Sequence, residues 1–168
     1  FPYITGKAFL FRFLAEIALA AWLLLAIFYK EFRPRSTYLL KALAIFVLVV
    51  GLATIFGVNP YKSFWSNYER MEGLISYLHL FAYFLVLCHV FIKKYDWPIF
   101  LNLFLVSGLL QNVYALFQKF GYFSSLQGGF RVDGRIGNPT YVAAYSIFVL
   151  GIAILLFIQS NKKALKWF

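Results

Sequence analysis

The sequence predicts an all-α integral membrane protein, and three features support this prediction. The 168 residues are 62% hydrophobic and only 13% charged, whereas a soluble domain carries roughly 25% charged residues. The apolar residues lie in five runs of about 20 residues, the length at which a helix crosses the roughly 30 Å hydrocarbon core of a bilayer. Short polar connectors separate the runs. The chain therefore has too little polar surface to cover a water-soluble globule.

The five runs predict five transmembrane helices at about residues 8–28, 38–56, 73–92, 98–118 and 140–159. We expect these helices to form a single membrane domain over residues 1–168, with outer loops at 57–72 and 119–139. The chain begins with Phe1 rather than Met, and apolar sequence starts almost at once. We therefore expect it to be a fragment of a longer protein.

The basic residues indicate an orientation. Alternate connectors hold nine Lys and Arg on one side of the predicted membrane and six on the other. Cytoplasmic loops carry an excess of these residues, so the side with nine is predicted to be cytoplasmic and the chain to start outside. A net charge of +10 would suggest nucleic acid in a soluble protein. Here topology explains the charge, and we expect no nucleic acid partner.

Two ionisable residues fall inside the first predicted helix. Arg12 and Glu16 are four residues apart and therefore share a helical face. Ionisable groups at such depth are costly and usually face a bundle interior or a wet cavity. Either they form an ion pair that fixes helix packing, or Arg12 lies under an anionic headgroup.

The third run carries a polar stripe. Glu72, Ser76, His79 and Tyr83 follow one another at intervals of four, three and four, which places them on one helical face. Hydrogen bonds between helices would explain the stripe. Alternatively, Glu72 and His79 line a polar shaft beneath the outer surface. We expect His89, nearer the cytoplasmic end of this helix, to be a packing or interface residue.

The segment Gly128–Ala144 is the longest polar interruption in the second half of the chain. Arg131 and Arg135 are suited to bidentate contacts with phosphate. Gly134 and Gly137 would let backbone N–H groups approach an anion, and the start of the following helix would add its dipole. Together these parts predict a pyrophosphate site.

A structural alternative exists for the same segment. In it, Asp133 pairs with an arginine and Asn138 caps the helix that begins after Pro139. The residues alone do not separate the two interpretations.

Three stretches resemble one known family. They are Thr5–Glu16 (TGKAFLFRFLAE), Asn67–Tyr77 (NYERMEGLISY) and Arg135–Tyr145 (RIGNPTYVAAY). All three are similar to segments of the O-antigen ligase and polymerase family of bacterial envelope proteins. The Gly-Asn-Pro-x-x-x-Ala run at the head of a helix is the most diagnostic part.

The resemblance implies a fold and an activity. It implies a GT-C-like polytopic bundle, of which this chain is the amino-terminal part, in the bacterial cytoplasmic (inner) membrane with its active side facing outward. Such proteins transfer a glycan from an undecaprenyl pyrophosphate carrier to a lipid or glycan acceptor, without metal or other cofactor. The proposed histidine base lies in a large outer loop beyond Phe168, so neither His79 nor His89 is expected to be catalytic.

The resemblance also bears on the substrate-binding residues. The better-known arginines of that family lie downstream of this segment, and Arg131 and Arg135 match the loop that precedes them. By extension, Arg131 and Arg135 are expected on the donor pyrophosphate, with Asn138 beside them and Arg70 and Glu72 nearby. A transporter or flippase of a lipid-linked anion would use the same arginines without chemistry. A non-catalytic membrane scaffold would use the polar residues only for packing.

Overall fold

The computed structural model describes residues 3–68, 71–93, 96–125 and 131–164, and within these ranges the chain forms helices and turns but no strand. The helices are α1 (Tyr3–Phe28), α2 (Tyr38–Ile55), α3 (Pro60–Trp65), α4 (Leu74–Val90), α5 (Asp96–Lys119) and α6 (Pro139–Ala164), with a 3-10 turn at Lys30–Phe32. Four helices, α1, α2, α5 and α6, are long and apolar enough to cross a membrane. This confirms the predicted all-α membrane class.

The third predicted span is shorter than expected. Helix α4 has 17 residues, which at 1.5 Å per residue is roughly 25 Å. The backbone at Gly73 is extended, with ψ at −178°, and the helix ends before Phe91. The described helices therefore include four of spanning length where the sequence predicts five, and a crossing by α4 stays a prediction.

Helix α3 lies inside the predicted outer loop 57–72, where no helix was expected. Asn59 caps it by accepting a hydrogen bond from the Lys62 N–H at 3.0 Å, and Pro60 occupies its first turn. Both are ordinary signals of a helix start. The prediction missed them because the segment is short and polar.

The chain divides into two compact units, Phe1–Ile92 and Lys93–Phe168. In the first unit, α4 packs against α1 and α2. In the second unit, α5 packs against α6. A single membrane domain over residues 1–168 stays a prediction.

The polar stripe of α4 faces α1. Ser76 accepts a hydrogen bond from the Arg12 guanidinium at 2.9 Å, and His79 Nε2 lies 2.9 Å from Glu16 Oε1. The rings of Tyr83 and Phe11 meet edge to face, with centroids 5.9 Å apart. Contacts between helices therefore explain these three members of the stripe.

Two expectations about the polar groups need correction. Arg12 and Glu16 share a helical face but make no ion-pair contact within 4.0 Å of each other, and each contacts a side chain of α4 instead. Glu72 is not part of the helical stripe, since it precedes the first residue of α4 and is exposed.

His89 is buried in the last turn of α4, where it contacts α1 and the connector that follows α1. It is 3% exposed, and its Nε2 accepts a hydrogen bond from the Arg35 backbone N–H at 2.9 Å. Its ring lies 5.1 Å from that of Trp22, whose Nε1 donates to the Phe32 carbonyl at 3.0 Å. His89 is thus a packing residue, as predicted.

In the second unit, small and polar residues bring α5 and α6 together. A Cβ atom on Gly108 would lie 2.3 Å from Val149 Cγ2, so the helices approach closely there. Ser146 donates a hydrogen bond to Asn112 Oδ1 at 2.7 Å. Small residues and hydrogen bonds of this kind are typical of helix contacts inside membranes.

Candidate functional site

The buried carboxylate of Asp133 organises the loop between α5 and α6. Asp133 is 0% exposed. Its Oδ1 accepts a hydrogen bond from Gln118 Nε2 at 2.6 Å, and its Oδ2 accepts one from Ser125 Oγ at 3.0 Å. A buried carboxylate is costly unless it is hydrogen-bonded, so these contacts determine how the loop folds.

Gln118, near the end of α5, binds the loop through both ends of its amide. Its Oε1 accepts hydrogen bonds from the N–H groups of Asp133 at 3.1 Å and Gly134 at 2.8 Å. Its Nε2 also donates to the Ser124 carbonyl at 3.1 Å. One side chain thus joins residues on both sides of the part of the loop that is not described.

The two glycine N–H groups expected to meet an anion are already bonded within the loop. The Gly134 N–H donates to Gln118, and the Gly137 N–H donates to the Asp133 carbonyl at 2.9 Å. In this conformation neither of these two N–H groups is available to an anion, and the pyrophosphate site stays a prediction. The glycines have a different role, because their φ angles of 56° and 87° lie in the left-handed region.

Gly134 also permits a close contact with α5. A Cβ atom there would lie 2.0 Å from Gln111 Nε2. Gln111 Oε1 accepts a hydrogen bond from the Arg135 N–H at 3.4 Å, whereas its buried Nε2 has no hydrogen-bond partner among the described residues. A second glutamine of α5 thus packs directly on the turn.

The side chains of Arg131 and Arg135 lie at the surface, on either side of the buried Asp133. The Arg135 guanidinium carbon lies 5.4 Å from the centroid of the Tyr114 ring, and that ring stacks on Phe123 with centroids 4.6 Å apart. A guanidinium over an aromatic face is attracted by the ring quadrupole. The loop therefore presents two cations at its surface.

Asn138 caps α6, as the structural alternative proposes. Its Oδ1 accepts a hydrogen bond from the Thr140 N–H at 2.9 Å, and Pro139 occupies the first helical position. The Asn138 amide oxygen is thus engaged with the helix, and its part in substrate binding stays a prediction.

Arg70 and Glu72 were predicted near these arginines. Arg70 lies outside the described residues. Glu72 is exposed in the first unit, so its proximity to Arg131 and Arg135 in the second unit stays a prediction.

The loop before α4 is bound to α1 by residues assigned no such role from the sequence. Arg12, 7% exposed, donates to the Met71 carbonyl at 2.9 Å, and Ser76 Oγ donates to the same carbonyl. Thr5 Oγ1 donates to the Tyr68 carbonyl at 3.2 Å. The Arg12 guanidinium is therefore engaged with the protein itself, unlike the arginine under a headgroup that the sequence allowed.

Sequence reasoning missed Gln118 and Tyr114 as partners of the loop. Both lie in a helix whose apolar composition predicts a membrane span and no contact with a loop. The only signal was the presence of two glutamines, Gln111 and Gln118, seven residues apart, which places them on one helical face. The patterns of α5 alone do not reveal which loop they meet.

No group of three or more His, Cys, Asp or Glu that could hold a metal ion occurs within the described ranges.

Comparison of the chain with protein-family models, curated proteins and solved structures gives no match.

Proposed function

We propose that this chain is the amino-terminal part of a membrane glycan ligase or polymerase. The full protein would transfer a glycan from undecaprenyl pyrophosphate to an acceptor on the outer face of the cytoplasmic membrane. The resemblance of three segments to the O-antigen ligase and polymerase family supports this proposal. One structural observation carries it further: Arg131 and Arg135 are exposed on a turn whose fold is fixed by Gln118 and Asp133.

A preorganised turn suits arginines that meet a leaving group. Charge builds up on the pyrophosphate as the glycosidic bond breaks, and fixed donors stabilise such charge without rearranging. Guanidinium groups can bind phosphate oxygens through two parallel hydrogen bonds. Gln118 and Gln111 would serve as positioning residues, because they hold the backbone that carries Arg135.

The proposal includes five crossings and a GT-C-like bundle. In it, α4 crosses the membrane together with α1, α2, α5 and α6, and the catalytic base comes from a later segment of the protein. A helix of 17 residues is at the short end of the spanning range of roughly 17–25 residues. The close packing of α4 on α1 and α2 supports its place inside such a bundle.

Replacing Arg135 by Ala in the full-length protein tests the proposal. We expect glycan transfer in a reconstituted assay to fall by roughly 10²-fold or more, the usual cost of losing one donor to a developing anion. Lys119→Ala, which removes an exposed cation from the end of α5, is the matched control and should retain transfer. Unchanged transfer in Arg135→Ala, with normal membrane insertion, would remove this residue from the site.

Two assays on the same preparation, one for bond formation and one for transport, distinguish an enzyme from a transporter. A ligase or polymerase forms a new glycosidic bond in detergent, where no membrane divides two compartments. A flippase moves the lipid-linked anion across vesicles and leaves the glycan on its carrier. Movement without bond formation would contradict the proposed activity, while leaving an anion-binding role for the arginines.

A further inference from the structure

The connector between α1 and α2, residues 29–37, holds a second set of cations that the proposed function does not use. Lys30, Arg33 and Arg35 are all exposed. The connector follows one helix of spanning length and precedes another. It must therefore lie where the hydrocarbon core gives way to water.

The backbone of this connector is fixed from both sides. Trp22 of α1 donates to the Phe32 carbonyl at 3.0 Å, and His89 of α4 accepts from the Arg35 N–H at 2.9 Å. The side chain of Thr37 then caps α2 by accepting from the Leu40 N–H at 3.2 Å. Most of the ordering that a ligand would otherwise have to impose is already present in the fold.

The 3-10 turn brings two of the cations together. Lys30 and Arg33 stand three residues apart, and the Arg33 N–H donates to the Lys30 carbonyl at 3.3 Å. Arg33 directly follows the turn Lys30–Phe32, and this backbone bond keeps the two residues close together. Neither cation meets a carboxylate within 4.0 Å in the part of the chain that the structure describes. Two neighbouring positive charges without a counterion favour an anion between them.

Arg35 completes the group from the other side of the turn. Its guanidinium donates to the Glu31 carbonyl at 3.0 Å, which folds the side chain back onto the turn that contains Lys30. This bond uses one of the five N–H donors of a guanidinium, which leaves further donors for a ligand.

We propose that Lys30, Arg33 and Arg35 bind the phosphate headgroup of an anionic phospholipid. A lipid fits better than free phosphate because exposed apolar residues flank the cations. Phe28 is 76% exposed and Tyr38 is 93% exposed at the adjoining helix ends, where they would contact acyl chains and the interfacial region. The lipid would hold the ends of α1 and α2 at the membrane surface. This inference does not depend on the proposed glycan transfer.

Binding of short-chain phosphatidylglycerol to the full-length protein in neutral detergent, followed by native mass spectrometry, tests the proposal. We expect Lys30→Gln/Arg33→Gln to weaken binding about 10-fold or more, because each cation near an anionic surface contributes about 1 kcal/mol, or roughly 5-fold. Lys62→Gln/Lys119→Gln makes the same charge change at exposed residues elsewhere and should bind like the wild type. Phosphatidylcholine should bind weakly to every variant.

Two further measurements test whether the charge of the connector controls the affinity and whether the ligand is a lipid or free phosphate. Glu31→Gln removes the nearest negative side chain and should tighten phosphatidylglycerol binding by a few fold. Inorganic phosphate at the same concentration should bind much more weakly than the lipid. Equal losses in the two double variants, or phosphate binding as tight as that of the lipid, would overturn the proposal.

Discussion

Asp133 shows how a single buried charge can determine the form of a loop. Its carboxylate is fully buried, and the amide of Gln118 both donates to it and accepts from the backbone beside it. Removing one partner of such a group leaves a desolvated charge with too few donors. Arg131 and Arg135 owe their positions to this buried pair, although neither Gln118 nor Asp133 is exposed to a ligand.

We expect Gln118→Glu to destabilise the second unit. The new carboxylate would face Asp133 Oδ1 at the position where the amide now donates at 2.6 Å, and one hydrogen bond would become a repulsion. We expect the free energy of unfolding to fall by roughly 2–4 kcal/mol, because the variant removes a donor to a buried charge and adds a like charge. Thermal unfolding in detergent measures it. Gln159→Glu, an exposed site on α6, is the matched control, and equal stability of both variants would contradict this account.

Arg12 plays the corresponding part in the first unit, since it satisfies the carbonyl of Met71. The φ of Met71 is 52°, a left-handed conformation that a side chain other than glycine rarely adopts. The hydrogen bonds from Arg12 and Ser76 to its carbonyl help to hold this conformation.

We expect Arg12→Met to lower stability by about 1–3 kcal/mol, because it withdraws a charged donor from a buried carbonyl. The loop before α4 should also become more susceptible to proteolysis in detergent. Lys62→Met makes the same change at an exposed residue and should alter neither property. If Arg12→Met leaves both unchanged, the bond to Met71 does not stabilise the loop.

At the scale of elements, α5 and α6 approach most closely at Gly108 and also share the hydrogen bond between Ser146 and Asn112. Gly108 faces Val149, with no room for a further carbon atom. Helices in membranes associate largely through van der Waals contact, so a small residue at the crossing has a large effect. Gly151, on α6, has open space around it.

This difference gives a paired prediction. Gly108→Ala should destabilise the helix pair by roughly 1–3 kcal/mol, as overpacking usually does. Gly151→Ala should stay within about 0.5 kcal/mol of the wild type or stabilise it slightly, because alanine favours helix and meets no neighbour. Unfolding of the two variants in the same detergent measures the contrast. A larger loss in Gly151→Ala would show that the Val149 contact is not the limiting one.

At the scale of the whole molecule, the predicted topology requires α4 to cross the membrane. Alkaline phosphatase fusions, which are active only outside the cytoplasm, test it. The predicted topology gives inactive fusions after Arg33 and Lys93 and active ones after Val58 and Tyr122. Green fluorescent protein fusions at the same sites should give the opposite pattern. If α4 does not cross, the Lys93 fusion will match the Val58 fusion.

The sequence predicted the elements better than their contacts. Hydrophobic runs of about 20 residues, ended by Gly, Pro and charged residues, gave helices close to α1, α2, α5 and α6, because lipid selects for length and apolar composition. Periodicity also indicated that Ser76 and His79 face other helices or a cavity, and the structure places both against α1. It overestimated α4, since apolar residues near a helix end do not require helical backbone.

The candidate site was predicted only in part. Asn138 before Pro139 is a local capping signal, and the structure uses it as such. The backbone cradle was predictable only in part: the Gly137 N–H bonds locally to the Asp133 carbonyl, whereas the availability of the Gly134 N–H depends on a distant partner. That partner, Gln118, lies fifteen residues before Asp133 in the chain.

By itself, the sequence determined that this is a helical membrane protein, where its long helices lie and which of its loops carry positive charge. These properties follow from composition and local periodicity, which act over a few residues. Only the tertiary structure decided that Arg12 binds the loop before α4 and that Glu16 contacts His79. It also decided that Gln118 is hydrogen-bonded to the turn that carries Arg135. Buried polar groups must find partners wherever packing brings them, and packing joins residues that no local pattern relates.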